Sequence, residues 1–271
     1  MQPAKLSRRE LLRMSGGALL AAGLWPGRLR AEDGGAGGEF RFVIANDLHY
    51  INASCGTWLA REVVAKMKAD KPDLCLLAGD LGNGGKREEL EGARDVFKTL
   101  GVPVHAVIGN HDWTTDFDRQ AYEETFPQQI NCHFEHQGWQ IVGLDTTNGL
   151  LWAKIKIQPP TLAWLDENLP KLDKKKPTVV FTHFPLGPDV QYRPGNADDV
   201  LNRFKEHNLV AVFCGHFHGF TERKVGKTAI TTNRCCSRMR GNHDGTKEKG
   251  YFVCDAKDGK IERKSVEVKA Q

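Results

Sequence analysis

Five apolar runs in this chain end alike: the run stops, usually at a glycine, and a carboxylate, amide or imidazole follows at once. FRFVIA (40–45) leads into NDLHY, PDLCLLAG (72–79) into Asp80, and VPVHAVIG (102–109) into Asn110-His111-Asp112. PTVVFTH (177–183) ends on His183, and LVAVFCG (209–215) leads into His216-Phe217-His218. Short runs of this kind, rich in β-branched and other apolar residues, read as buried strands. WQIVGLD (139–145) is a further run. Segments with helical spacing lie between them, at 57–70, 86–100, 161–172 and 197–208. After residue 250 the pattern changes. YFVCD, the turn AKDGK and alternating IERKSVEV read as a hairpin with one solvated face. The alternation predicts an α/β domain with a mixed sheet or two stacked sheets.

In open α/β sheets the carboxyl ends of the strands line a crevice where ligands bind. Alternate residues of an extended segment point the same way, which pairs Asp47 with His49 and His216 with His218. Glycines before Asp80, Asn110 and His216 let the chain turn sharply off its strand. A single Asp after a strand is ordinarily a turn residue or helix cap, and a single His beside an apolar run is ordinarily a satisfied core residue. Five clusters of oxygen and nitrogen donors at five strand ends are not explained that way. His133, His136 and His207 sit in polar segments without this context. A second GNHD, at 241–244, follows CCSRMR rather than a buried strand and reads as a loop.

The ordered series Asp47-x-His49, Gly79-Asp80, Gly109-Asn110-His111-Asp112, His183 and Gly215-His216-x-His218 resembles the calcineurin-like metallophosphoesterase superfamily over residues 40–220. The resemblance implies an αββα sandwich of two sheets carrying a dinuclear metal centre. It assigns Asp47, His49, Asp80 and His218 to one metal, and Asp80, Asn110, His183 and His216 to the other. Carboxylate, imidazole and amide donors suit Mn, Fe or Zn. Two ions roughly 3.5–4 Å apart clamp phosphoryl oxygens and activate a hydroxide for in-line attack. By the same resemblance His111 stabilises developing charge and protonates the leaving oxygen. Asp112 either orients His111 or caps the next segment.

Branch-specific features narrow the substrate. The stretch GDLGNGG lacks the Asp-Arg pair of the protein phosphatases in this superfamily. Asn83 stands where purple acid phosphatases place a metal-bound tyrosine, and His111 where enzymes acting on the lipid A precursor use arginine. What remains resembles the class III cyclic-nucleotide phosphodiesterases and related diesterases and monoesterases. The expected substrate is a small phosphoester, with a diester favoured. A phosphomonoesterase, and an exported protein that keeps metals without turnover, are the alternatives. Tyr192 and Arg193 in the long loop 184–198, with Asn148, Tyr50 and Trp113, are the candidate substrate contacts.

Residues 1–31 read as a twin-arginine export signal: Arg8-Arg9 within SRRELLR, then a short, weakly apolar stretch from Met14 to Trp25 that is too short to span a bilayer. The expected location is periplasmic or extracellular, reached through the export machinery, with no stable membrane span. EDGGAGG (32–38) reads as a flexible linker and 39–271 as the catalytic domain. The net charge of +4 belongs to the leader, which holds six of the Lys/Arg and one of the acids. The remainder is 32 basic against 33 acidic residues (38 − 6 and 34 − 1), so no nucleic-acid partner is expected. The seven cysteines form neither a Cys-x-x-Cys nor a zinc-knuckle motif. Cys75 and Cys214 read as buried small hydrophobes.

Overall fold

A computed structural model describes residues 37–269. The leader and all but the last two linker residues lie outside that range. At the start of that range the Gly38 amide donates to the Gln137 carbonyl, and Trp139 Nε1 donates to Gly38 O at 3.0 Å.

Eleven strands form two sheets among the described residues. The first has the order β11-β10-β1-β2-β3, with β1 at Phe40–Ala45, β2 at Leu74–Ala78, β3 at Val104–Val107, β10 at Lys249–Lys257 and β11 at Lys260–Val268. The second has the order β4-β5-β6-β7-β9-β8. Its members are β4 (Cys132–His136), β5 (Trp139–Leu144), β6 (Thr178–Thr182), β7 (Leu209–Cys214), β8 (Thr221–Val225) and β9 (Thr228–Thr232). β1, β2 and β3 run parallel, as do β5, β6, β7 and β9, and the other pairings are antiparallel.

Parallel neighbours need crossover segments, and helices supply most of them. Helix α1 is continuous, running from Ala53–Trp58 through a π-helical segment, Leu59–Val64, into Ala65–Asp70, and it joins β1 to β2. Helix α2 (Arg87–Lys98) joins β2 to β3. After a short α3 (Gln120–Thr125), α4 (Pro159–Asn168) joins β5 to β6, and α5 (Ala197–Arg203) joins β6 to β7.

Side-chain alternation along each strand divides the interior into three apolar layers. Val43, Ala45, Cys75 and Leu77 face outward onto Trp58, Val63 and Met67 of α1 and Leu90 and Phe97 of α2. Phe42, Ile44, Leu76, Val179, Phe181 and Phe213 meet between the sheets. Val142, Val180 and Val212 face Leu165, Val200 and Leu201 on the far side. The layering is helix, sheet, sheet, helix, the αββα sandwich expected from the sequence. Each fully buried side chain of this size contributes roughly 1.5–3 kcal/mol against exposure.

The C-terminal hairpin departs from expectation. Its turn, Asp258-Gly259, has φ of 49° and 69°, as a two-residue hairpin of the right twist requires. However, β10 has no solvated face. It pairs with β1 inside the sheet, sending Tyr251 and Val253 into the helical layer and Phe252, Cys254 and Ala256 between the sheets. Only β11, at the edge, alternates toward solvent. All seven cysteines are free thiols. Among the described residues no helix is long and apolar enough to cross a membrane.

Candidate metal centre

The carboxyl ends of β1, β2 and β3 in one sheet and of β6 and β7 in the other open onto the same edge of the sandwich. Bonds within the first sheet and between the two sheets lock that edge. The Asp47 and His49 amides donate to Gly79 O and Asp80 O, both at 3.0 Å. The His216 amide donates across to Asp47 Oδ2 at 2.9 Å. His183 Nδ1 reaches Ala78 O at 3.0 Å. Close approach of the backbones explains two of the glycines. A Cβ on Gly79, whose φ is +80°, would lie 2.5 Å from His183 Nδ1, and one on Gly109 would lie 2.1 Å from the Asp80 nitrogen.

The pairing of His and Asp two apart has a different origin from strand alternation. Asp47, His49, Asp80, His216 and His218 all lie beyond their strand ends with φ between 46° and 64°. This left-handed region is uncommon for residues with a Cβ and costs about 1–3 kcal/mol per residue. The amide bonds from Asp47 and His49 to the Gly79 and Asp80 carbonyls, and the bond that crosses from His216 to Asp47, brace these turns.

Two groups of potential ligands result: Asp47, His49, Asp80 and His218, and Asp80, His183 and His216, with ligand atoms within 4.8 Å of one another in each. Asp80 belongs to both. Asn110 joins the second, its Oδ1 3.2 Å from His183 Nε2.

The outer hydrogen bonds fix which ring nitrogens carry lone pairs. A carbonyl only accepts, so His183 donates through Nδ1 to Ala78 O, His216 through Nε2 to Trp152 O at 2.8 Å, and His218 through Nδ1 to Gly241 O at 2.9 Å. The inner nitrogens therefore meet other acceptors. His183 Nε2 lies 3.2 Å from Asp80 Oδ1 and 3.2 Å from His216 Nδ1, and His218 Nε2 lies 3.1 Å from Asp47 Oδ1 and 3.3 Å from His49 Nε2. Carboxylate oxygens and inward-facing ring nitrogens converging this closely suit cations.

The titration behaviour says the same. Burial pushes His183 down, but the carboxylates of Asp80 and Asp47 prevail and raise it to about 9. Burial is likewise outweighed at His218, which Asp47 raises to about 11. Protons take the place of cations there. Burial, opposed only in part by the same acids, leaves His49 and His216 at about 3, neutral and ready to ligate. His49 Nδ1 is buried with no hydrogen-bond partner. The donor set, its burial and its unsatisfied lone pairs fit two metal ions sharing Asp80.

His111 stands beside the ligands. Its amide donates to Asp80 Oδ1 at 2.9 Å, its ring packs edge-on against His49 at 4.8 Å, and its Nδ1 donates to Asn83 O at 2.9 Å. That leaves Nε2 to serve the cavity. Asn83 O, not Asp112, orients this ring. Asp112 is fully buried and accepts from the Gly82 amide at 2.7 Å and the Gly109 amide at 2.8 Å, stapling the loops after β2 and β3 together. Burial and the neighbouring Asp80 charge raise its carboxyl to about 7, against those amide bonds.

A cavity of about 350 Å³ opens over the centre, lined by His49, Asp80, His111, His216 and His218, with Trp152, Tyr192, Arg240, Gly241, Asn242 and His243 as its wall. Of the candidate substrate contacts, Tyr192 lines it. Arg193 does not: its guanidinium is held by Leu186 O at 3.0 Å and Asp198 at 2.6 Å. Asn148 lies in the turn before Trp152, its carbonyl accepting from Leu151. Tyr50 is buried under α1, and Trp113 bonds Thr147. Trp152, Arg240 and His243 are the site residues that the sequence pattern did not single out. The second GNHD is a loop, as expected, yet it returns to the site, and its His243 ring lies 4.8 Å from that of His218.

The family model described as calcineurin-like phosphoesterase matches residues 40–220. The chain is 28% identical over 191 residues to a glycerophosphodiester phosphodiesterase, GpdQ, of Enterobacter lignolyticus, covering 63% of this chain and 66% of that protein. It is 31% identical over 128 residues to a Synechococcus protein named as a probable cyclic nucleotide phosphodiesterase, covering 46% of this chain and 48% of that one. The chain thus spans about two thirds of the first relative and about half of the second. Purple acid phosphatase PPD1 from yellow lupin seeds shares the fold at a TM-score of 0.63 and 13% identity, over 84% of this chain and 52% of that one. So does GAP50 of Plasmodium, at 0.60 and 17%, over 84% of each chain. Family model, ligand set and sandwich agree, and the chain belongs to the calcineurin-like phosphoesterase family.

Proposed function

We propose that this protein is a metal-dependent hydrolase of a small phosphodiester. The observation that carries the reading is the pair of ligand groups joined at Asp80, with His111 at the cavity edge. Asp47, His49, Asp80 and His218 would hold one ion, and Asp80, Asn110, His183 and His216 the other. Bound there, such ions would supply Lewis acidity toward phosphoryl oxygens and hydroxide at neutral pH. Mn, Fe and Zn all suit the donors.

The chain's own residues account for the rest. Trp152 O and Gly241 O hold the outer nitrogens of His216 and His218, which fixes ring orientation and raises ligand basicity. Asn83 O keeps the His111 Nδ1 proton in place, so Nε2 is the atom that carries a proton to the leaving oxygen. Tyr192, Trp152 and His243 give the leaving group an aromatic wall. The diesterase names of the two relatives support a diester over a monoester, and the lack of an Asp-Arg pair after Gly79-Asp80 argues against a phosphoprotein. We also infer export through residues 1–31; a reporter fusion that loses export when Arg8-Arg9 become Lys-Lys would bear this out.

The test is hydrolysis of a generic aryl phosphodiester and the matching monoester by Mn-loaded protein, with His111→Ala as control. Diester turnover that exceeds monoester turnover and collapses in the variant is the expected result. Preference for the monoester would make the protein a phosphomonoesterase. No turnover with two metals bound would point to a metal-binding protein instead.

A further inference from the structure

We propose that Arg240, carried by the loop after β9, is a phosphate-binding residue of this site, and that Asn83 positions it. The inference rests on the phosphoesterase reading above and adds a substrate contact to it.

The guanidinium is built into the cavity wall rather than left loose on the surface. Nε and Nη2 both donate to Asn83 Oδ1, at 3.2 and 2.8 Å, while Nη1 makes no hydrogen bond among the described residues. The backbone of the same residue is fixed from both sides. Its amide donates to Ser237 Oγ at 3.1 Å, and its carbonyl accepts from Nζ of Lys249, a lysine that is only 7% exposed. The next carbonyl, Gly241 O, takes the outer proton of the metal-facing His218. The loop is therefore tied to the centre it overlooks, and Arg240 lines the cavity with His111.

Asn83 links the two. Its carbonyl orients His111 and its side chain orients Arg240. A planar cation with a free donor, preorganised beside the proposed general acid, suits a non-bridging phosphoryl oxygen. Such an arrangement loses little freedom on binding.

Arg240 is exposed, so its replacement leaves the core intact. The experiment measures inorganic phosphate binding to the Mn-loaded full chain by calorimetry, its competition with substrate, and kcat and KM, with metal content determined for each variant. Arg240→Ala is expected to weaken phosphate binding and lower kcat/KM by about 10- to 100-fold with both metals retained. Arg240→Lys should recover part of this, because a lysine keeps the charge and loses the fork. Asn83→Ala should give a smaller loss, and Asn83→Ala with Arg240→Ala should be no worse than Arg240→Ala alone, since Asn83 acts through the arginine. Phosphate affinity and kcat/KM unchanged in Arg240→Ala at full metal occupancy would overturn the proposal. If wild-type protein hydrolyses neither ester, the hydrolase reading fails, while phosphate binding still decides the role of Arg240.

Discussion

The floor of the cavity is made of side chains that follow four strand ends, those of β1, β2, β3 and β7, whereas its wall is delivered by loops around Trp152, Tyr192 and Arg240–His243 that no strand end supports. On the floor, few residue types can do the work: the positions require lone pairs or a carboxylate, and His49, Asp80, His216 and His218 are buried and held in left-handed turns. On the wall, the bonds that reach the metal-facing rings come from backbone. Trp152 offers His216 its carbonyl, and Gly241 does the same for His218. Any side chain can ride on such a carbonyl. The floor therefore fixes the chemistry and the wall is free to set the substrate, which is the physical form of the rule that one fold serves many reactions.

That contrast can be broken by substitution. The largest effect is expected at Asp80, the only carboxylate common to both ligand groups. Asp80→Asn should abolish turnover and reduce metal content at both positions; metal analysis showing two ions and near-normal turnover would remove the shared-carboxylate account. Next is His111→Ala, which should lower kcat by about 10²–10⁴-fold with both metals retained, since it removes a proton donor and no ligand. Loss of metal instead would move His111 into the ligand set. On the wall, His243→Ala should leave metal content intact and raise KM more than it lowers kcat, by up to about tenfold for one aromatic contact.

A pH experiment sharpens the same contrast. In stripped protein His183 is raised from 6.5 to about 9, so the stability its proton provides is complete below about pH 6.5 and is lost as pH rises through about 9. His218, raised to about 11, extends the loss upward. The melting temperature of stripped protein should fall over this range while that of loaded protein does not. Metal must displace these protons, so its apparent affinity should rise with pH. An affinity independent of pH would contradict the placement of His183 and His218 against the ions. The smallest effect is expected at Arg193→Ala. Its ion pair is with the exposed Asp198, so stability should drop by at most about 1 kcal/mol and KM should not move.

The same division explains how far the sequence could be read. The floor was legible because candidate metal ligands at strand ends combine two strong signals, an apolar run and an abrupt polar stop, as at Cys214-Gly215-His216. The core strands and the αββα layering were legible for the first of those reasons. β4 and β8 were not: CHFEH and TERKV are half-exposed edge strands whose charged residues hide their period. β10 read as half-solvated because nothing local shows that β1 lies beside it. The wall was hidden because Arg240 reaches Asn83 across 157 residues through hydrogen bonds alone. GDLGNGG carries no arginine, and the structure brings one to that loop from the far end of the chain. A repeated GNHD beside an arginine was the available hint, but its distance from any apolar run argued against it.

Whether two metal ions share Asp80 is tested by titrating Mn into stripped protein while binding and diester turnover are followed together. Two equivalents are expected to bind per chain, with full turnover reached only when both are in place. Saturation of binding and turnover at one equivalent, or full turnover with none, would contradict the sharing of Asp80.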